Sequence, residues 1–194
     1  MSAPNPEKID PRAAIAEAAG KILAAEGIGA LTARRLAAAG GCSVGTLYNL
    51  FGDLDGVVRA VNRTSMAQLY VHLERTEGQD CTARLLALAE AYRAFALAEP
   101  NRWEALFRHR LTSPGPKAPA VEPEAAQLFA LLRDRAGPGF DDDALTALWA
   151  AVHGVVELAV NKRLIGADIG AEPRYLKLVV LGLVSALGSE QAEG

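Results

Sequence analysis

At 194 residues the chain has room for one large domain or for a small domain set on a larger one. Apolar residues make up 51% of it, enough to fill a core and supply a buried subunit interface as well. The net charge of −3 excludes a general nucleic-acid coat, which needs a basic balance, and confines any nucleic-acid contact to a local surface.

Met1 to Asp10 is polar and acidic, carries Pro4 and Pro6, and contains no apolar signal core. The apolar runs further on are too short, or too interrupted by acidic residues, to read as membrane spans. The expectation is a soluble cytoplasmic protein with no membrane partner. In that compartment Cys42 and Cys81 are not expected to form a disulfide. Cys42 reads as a small buried thiol, with a redox switch as the alternative.

Pro11 to Glu26 reads as the first helix. Asp10 is its expected cap, and Pro11 suits the first helical position, where no N–H is needed. Ile15, Ala18, Ala19, Ile22 and Leu23 recur at helical spacing and predict the buried face, and Gly27 stops the helix.

From Leu31 to Val58 the pattern is two short helices joined by a tight turn, with a third starting directly behind them. Thr32 is the expected cap of the first helix, Leu36 and Ala37 its inner face, and Arg34 and Arg35 its solvent side. Gly40 and Gly41 are expected to end it, because glycine reaches the left-handed conformation at little steric cost. Ser43 reads as the cap of the second helix and Val44 to Leu50 as its body. Leu47 and Phe51, four apart, pack inward, leaving Thr46, Tyr48 and Asn49 outside.

This is the outline of a helix-turn-helix, whose second helix enters the DNA major groove with its first turns against base edges. Asn49 carries the paired donor and acceptor that suit adenine, and Thr46 can bond a base or pack on a thymine methyl. Tyr48 can reach a phosphate through its hydroxyl, and the N–H groups of residues 43–45 lie at the positive end of a helix dipole, a natural phosphate site. The candidate DNA contacts are Thr32, Arg34, Arg35, Ser43, Val44, Gly45, Thr46, Tyr48 and Asn49. Over residues 1–60, Lys8, Arg12, Lys21, Arg34, Arg35 and Arg59 stand against Glu7, Asp10, Glu17, Glu26, Asp53 and Asp55, so this part of the chain is neutral. Its DNA affinity is therefore expected to depend only shallowly on salt.

The run from Leu36 to Val58 resembles the DNA-binding signature of TetR-type transcriptional repressors. Gly40-Gly41-Cys42-Ser43 sits where that family has its Gly-containing turn. Gly45-Thr46-Leu47-Tyr48 and Phe51 follow at its spacing, Arg34 matches a common basic position, and Arg12 to Gly27 resembles the buttressing helix. Two positions depart from the pattern. Leu54 stands where the family usually has Lys, a phosphate contact, and Val44 stands where the recognition helix often opens with Lys or Arg. The resemblance implies that the next helix is the lever between the DNA-binding and regulatory parts.

That helix is expected from Leu54 to Thr76, capped by Asp53, with Val57, Val58, Val61, Met66, Leu69 and Leu73 as its apolar stripe. Residues 77–80 break the pattern. Helices are then predicted over Thr82–Glu99, Arg102–Leu111, Glu124–Ala136, Asp141–Ile165 and Pro173–Leu187, with a proline-rich loop from Thr112 to Pro123. No stretch reads as a strand.

Trp149, His153 and Gly154 carry a second resemblance, to TetR-like regulators marked by Trp, His and Gly at this spacing in a late helix. It implies a C-terminal domain that responds to a small ligand. Tyr92, Phe95, Trp103, Phe107, Phe129, Trp149 and His153 are the candidate pocket residues; the alternative is that they simply fill the core. Ala147, Ala150, Ala151 and Gly154 on one helix, and Gly182, Ser185 and Ala186 on the next, are small enough for close helix approach. They predict a homodimer through the helices at 141–165 and 173–187.

The resulting expectation is an all-α protein of about nine helices. Residues 1–52 would form a three-helix DNA-binding domain, and residues 53–194 a helical ligand-binding and dimerisation domain. Its partners would be a double-stranded DNA operator, most simply an inverted repeat, a small-molecule effector and a second copy of the chain. No Cys/His cluster stands beside His153 and Glu157, so neither metal nor cofactor is expected. The alternatives are a helical adaptor that binds DNA weakly or not at all, and a helical enzyme using His153 and Glu157. No phosphate loop or nucleophile elbow supports the second.

Overall fold

A computed structural model describes residues 10–110, 112, 123–164 and 170–193. The acidic start before Asp10, most of the expected proline loop and the expected helix end at Ile165 lie outside the described residues. Among the described residues there are nine α-helices, a single 3-10 turn at Ile28–Ala30 and no strand. The helices are α1 (Pro11–Glu26), α2 (Ala33–Ala39), α3 (Val44–Phe51), α4 (Leu54–Glu74), α5 (Cys81–Ala98), α6 (Pro100–Phe107), α7 (Pro123–Ala136), α8 (Asp142–Val160) and α9 (Glu172–Glu193).

Side-chain caps start most of them. Asp10, Thr32 and Ser43 accept from the N–H groups of Arg12, Arg35 and Thr46 at 2.9, 3.4 and 3.1 Å. Asp80 and Asp141 accept from Ala83 and Ala144, each at 2.8 Å. Each bond satisfies a donor that the first helical turn leaves without a partner. Gly27 ends α1 with φ +82°, a value that favours glycine.

The chain forms two compact units. One holds α1–α3, α4 up to Met66, and α6 from Asn101 onward. Its core is Ile15, Leu23, Leu36, Leu47 and Val57, all fully buried, with Phe51, Val61 and Ala105. This unit is larger than residues 1–52 because α6 is tied into it. The Asn101 side-chain amide donates to Ala24 O at 2.9 Å, and Arg102 donates to Ser65 Oγ and Gly20 O at 3.1 and 3.3 Å. Asn62 donates to Ala105 O at 2.9 Å.

The other unit holds α4 from Ala67, α5 and α7–α9. Here α5 packs on α7, α8 and α9, and Leu85, Leu88, Tyr92, Phe95, Leu145, Val156, Leu176 and Val180 are buried. By length and composition α8 is apolar enough to cross a membrane. Four of its residues, Leu145, Leu148, Val152 and Val156, are instead buried within this unit.

Three helices differ from the sequence expectation by more than two residues at one end or both. Pro100 opens α6, which ends at Phe107, so the expected span Arg102–Leu111 is shifted back. Proline's fixed φ and missing N–H suit a first turn as well as they stop a preceding one. The helix expected to reach Ile165 stops at Val160, where Asn161 caps it, donating to Glu157 O at 2.7 Å, and Lys162 turns left-handed at φ +54°. The last helix runs over Glu172–Glu193, longer than the expected Pro173–Leu187.

Candidate functional site

The turn between α2 and α3 depends on two glycines for different reasons. Gly41 has φ +62°, as expected. Gly40 does not share it, with φ −85°; there a Cβ would sit 2.3 Å from Ile15 Cγ1 in the core. The expectation that both glycines turn left-handed is corrected at Gly40, which is needed for space rather than for torsion. A third glycine, Gly56, holds α4 against α3: its Cβ would lie 1.9 Å from Phe51 O. Asp53 accepts from the Gly56 N–H at 2.6 Å and so caps α4.

With the turn fixed, α3 buries Leu47 and Phe51 and leaves Val44, Gly45, Tyr48 and Asn49 exposed. Thr46 is partly buried, with its hydroxyl 2.9 Å from Ser43 Oγ. On α2, Thr32, Arg34 and Arg35 are exposed. The two arginines are not equivalent. Arg35 grips Glu26 through both terminal nitrogens, one bond at 2.8 Å, and this hydrogen bond holds the Glu26 carboxyl below its usual range. Arg34 has no hydrogen bond or ion pair among the described residues.

Lys21 and Arg59 are also paired, with Glu17 and Asp53. Arg12 donates to Leu50 O, and its guanidinium lies 4.8 Å from the Phe51 ring centre. It therefore places positive charge at the negative end of the recognition helix. The sequence reading missed this role, since nothing in local spacing connects Arg12 to a residue 38 positions on. Gly56 left a readable signal, a glycine inside a helix, which costs about 1 kcal/mol of propensity relative to alanine.

The seven candidate pocket residues do not all come together. Trp103 and Phe107 fall in the unit that carries the helix-turn-helix, with ring centres 4.6 Å apart and Trp103 fully buried. The others lie in the second unit. There the Tyr92 hydroxyl is 3.0 Å from His153 Nδ1, and the Trp149 ring stacks on His153 with centres 5.3 Å apart. Burial raises the Tyr92 hydroxyl well above its usual range, opposed by a hydrogen bond from Trp149. Burial also lowers His153, against the opposing charge of Glu157. Phe95 faces His72 at 6.3 Å, and Phe129 lies under Arg133. Separately, a cleft of about 440 Å³ opens along α7, lined by Tyr70, Glu74, Gln127, Leu131 and Arg135 among others.

Glu157 accepts from the Asn161 side-chain amide at 2.7 Å. No group of three metal-ligating side chains occurs among the described residues. Cys81 donates to Ala136 O at 3.1 Å, and burial pushes its thiol up; Cys42 is partly buried against the first core. The outer sides of α8 and α9 expose apolar surface. Leu158 is 44% exposed, Leu178 59% and Leu181 39%, beside exposed Ala147, Ala150, Gly182 and Ser185.

Comparison with known proteins agrees with this architecture. Residues 85–180 match the family described as tetracyclin repressor-like, C-terminal domain, a span that includes Tyr92, Trp149 and His153. An HTH-type transcriptional regulator of Mycobacterium tuberculosis is 31% identical over 166 residues, covering 82% of this chain and 74% of the relative. Two solved structures share the fold. One is described as a possible TetR family transcriptional regulator from Streptomyces coelicolor A3(2), with TM-score 0.58, 21% identity and coverage of 94% and 100%. The other, a TetR-like transcriptional regulator from Rhodococcus sp. RHA1, has TM-score 0.57, 14% identity and coverage of 90% and 96%.

Proposed function

The chain belongs to the TetR family of transcriptional regulators, and on that premise we propose that it is a homodimeric repressor released from its operator by a small, largely apolar ligand. The observation that carries the reading is the pairing of an exposed recognition helix in one unit with an exposed apolar helix face in the other. The first needs DNA. The second, on α8 and α9, suits a second copy packed about a two-fold axis, with small residues allowing close approach. A dimer of this kind presents two recognition helices to half-sites one helical turn apart.

Release is a matter of linkage. A ligand that fits one spacing of the two DNA-binding units better than another shifts the dimer toward that spacing. Helix α4 contributes residues to both units, and α6 is bonded into the DNA-binding unit through Asn101 and Arg102. These two helices are the route by which ligand binding would reach α3. Tyr92, His153 and Trp149, in mutual contact, combine polar atoms with aromatic surface, the side-chain chemistry suited to a small, largely apolar ligand. The protein would act in the cytoplasm, with neither cofactor nor metal. The family and the curated relative are regulators, which sets aside a helical enzyme built on His153 and Glu157.

The neutral charge of residues 1–60 favours one other reading, an adaptor with little DNA affinity. Selection of DNA fragments by the purified full chain, at low and moderate salt, separates the two. An inverted repeat enriched at either salt supports the repressor reading, and its neighbouring genes indicate which ligands to test for release. No enrichment at either salt defeats it in favour of the adaptor.

A further inference from the structure

The outward side of α3 carries no charge. Val44 and Tyr48 are 36% and 41% exposed, Gly45 and Asn49 are exposed, and the remaining residues of Val44–Phe51 contribute no basic or acidic group. In the major groove, guanine presents two acceptors and calls for Arg or Lys, and cytosine presents a donor and calls for Asp or Glu. None of these stands on α3. Adenine calls for Asn or Gln, and thymine offers a methyl group to apolar contact.

Thr46 narrows the reading further. Its hydroxyl is held 2.9 Å from Ser43 Oγ, which also caps the Thr46 N–H at 3.1 Å. The hydroxyl is engaged at the helix start, which leaves the γ-methyl as the group of Thr46 with no hydrogen-bonding role. Between Val44 and Thr46 lies Gly45, where a Cβ would find only Ser43 Oγ at an ordinary 3.6 Å. The fold leaves room for a side chain there, and a glycine in a helix costs about 1 kcal/mol of propensity relative to alanine. Close approach of another molecule to the backbone explains it. The first turn of α3 is therefore a bare strip of backbone flanked by methyl groups, with Asn49 about one turn further on.

We propose that α3 reads an A·T-rich half-site, with Asn49 on adenine and the methyls of Val44 and Thr46 on thymine, so that the thymine 5-methyl itself carries specificity. This rests on the repressor reading above, because it presumes an operator. Uracil isolates the claim: it keeps the base pair and every hydrogen-bonding group of thymine and lacks only the methyl.

The experiment replaces the thymines of the selected half-site with uracil one at a time. Affinity is then compared, at fixed salt, for wild type, Val44→Ala and Thr46→Ser. Thr46→Ser removes one methyl and keeps the hydroxyl; Val44 is exposed, so its alanine variant keeps the fold, checked by an unchanged melting temperature. Wild type should lose about fourfold in affinity at one or two uracils per half-site, the worth of one buried carbon. At least one of the two variants should be indifferent to the same change. Wild-type binding unaffected by uracil, a penalty that persists undiminished in both variants, or G·C pairs selected beneath α3 would overturn the proposal while leaving the repressor reading intact. Failure to select any DNA would overturn both.

Discussion

Arg34 and Arg35 are adjacent in sequence but differ in their surroundings. Arg35 is paired with Glu26, so its charge is already balanced. Arg34 is exposed and has no such partner among the described residues. Each phosphate contact contributes about 0.9 to the slope of log affinity against log salt. Arg34→Ala should therefore lower that slope by about 0.9 for each side chain removed, with melting unchanged; Arg35→Ala should lower it less. Binding titrations across a salt series decide this, and equal slopes for the two variants would refute it. Gly45→Ala tests the close approach at α3. It should leave melting unchanged or raise it, because the added Cβ fits, and should still weaken DNA binding at least about tenfold. In the second unit, His153 has its pKa lowered from the usual 6.5 by burial, with Glu157 opposing, in contact with the Tyr92 hydroxyl and the Trp149 ring. The unfolded chain therefore takes up this proton first as pH falls. The associated stability is present above 6.5 and is lost as pH falls through the lower, folded value. Thermal melts between pH 7.5 and 5.5 should show a smaller decline for His153→Gln than for wild type; parallel declines would remove His153 from the account.

At the scale of the element, local signals were the readable ones. Asp10, Thr32, Ser43 and Asp141 lie at helix starts as the sequence indicated, and each accepts an N–H two or three residues on. A cap acts within one turn, so the sequence contains all of its parts. The helix-turn-helix was legible for the same reason. Gly56 was only half legible: a glycine inside a helix shows in the sequence, but the atom it must avoid belongs to the preceding helix. A Cβ 1.9 Å from Phe51 O has no flexible side chain to displace, only backbone. Gly56→Ala should cost at least about 2 kcal/mol and several degrees of melting temperature. A variant that melts with wild type would show that α3 and α4 can separate freely. The end of α8 was likewise hidden, since Leu164 and Ile165 resume the apolar residues after three polar ones, while the Asn161 side chain and the left-handed Lys162 end the helix.

For the whole molecule, the question is what covers the outer sides of α8 and α9. Leu178, 59% exposed, lies on the α9 side away from fully buried Val180 and Leu176. Exposed leucine beside alanine and glycine at helical spacing is the surface that the proposed dimer would cover. Leu178→Glu should yield a folded monomer by light scattering and circular dichroism. That monomer should bind a two-half-site operator more than about tenfold more weakly, since it loses the second recognition helix. A variant that remains dimeric would move the interface elsewhere. The seven candidate pocket residues are divided between the two units for a reason of the same scale. Helical spacing identifies which side chains are apolar, but not which unit receives them. Trp103 and Phe107 went to the DNA-binding unit with α6, while Tyr92, Trp149 and His153 met in the other.

The sequence alone determined the all-α class, most helix starts and the identity of the recognition helix, because caps, turn glycines and apolar periodicity act between residues a few positions apart. The tertiary structure alone decided that α6 joins the DNA-binding unit, that Arg12 caps the end of α3, that Arg35 is held by Glu26, and that the Thr46 hydroxyl is turned back on Ser43 while Tyr92 meets His153. Most of those outcomes join residues far apart in the chain or choose among several partners of similar chemistry, and only the packed arrangement of the helices makes that choice.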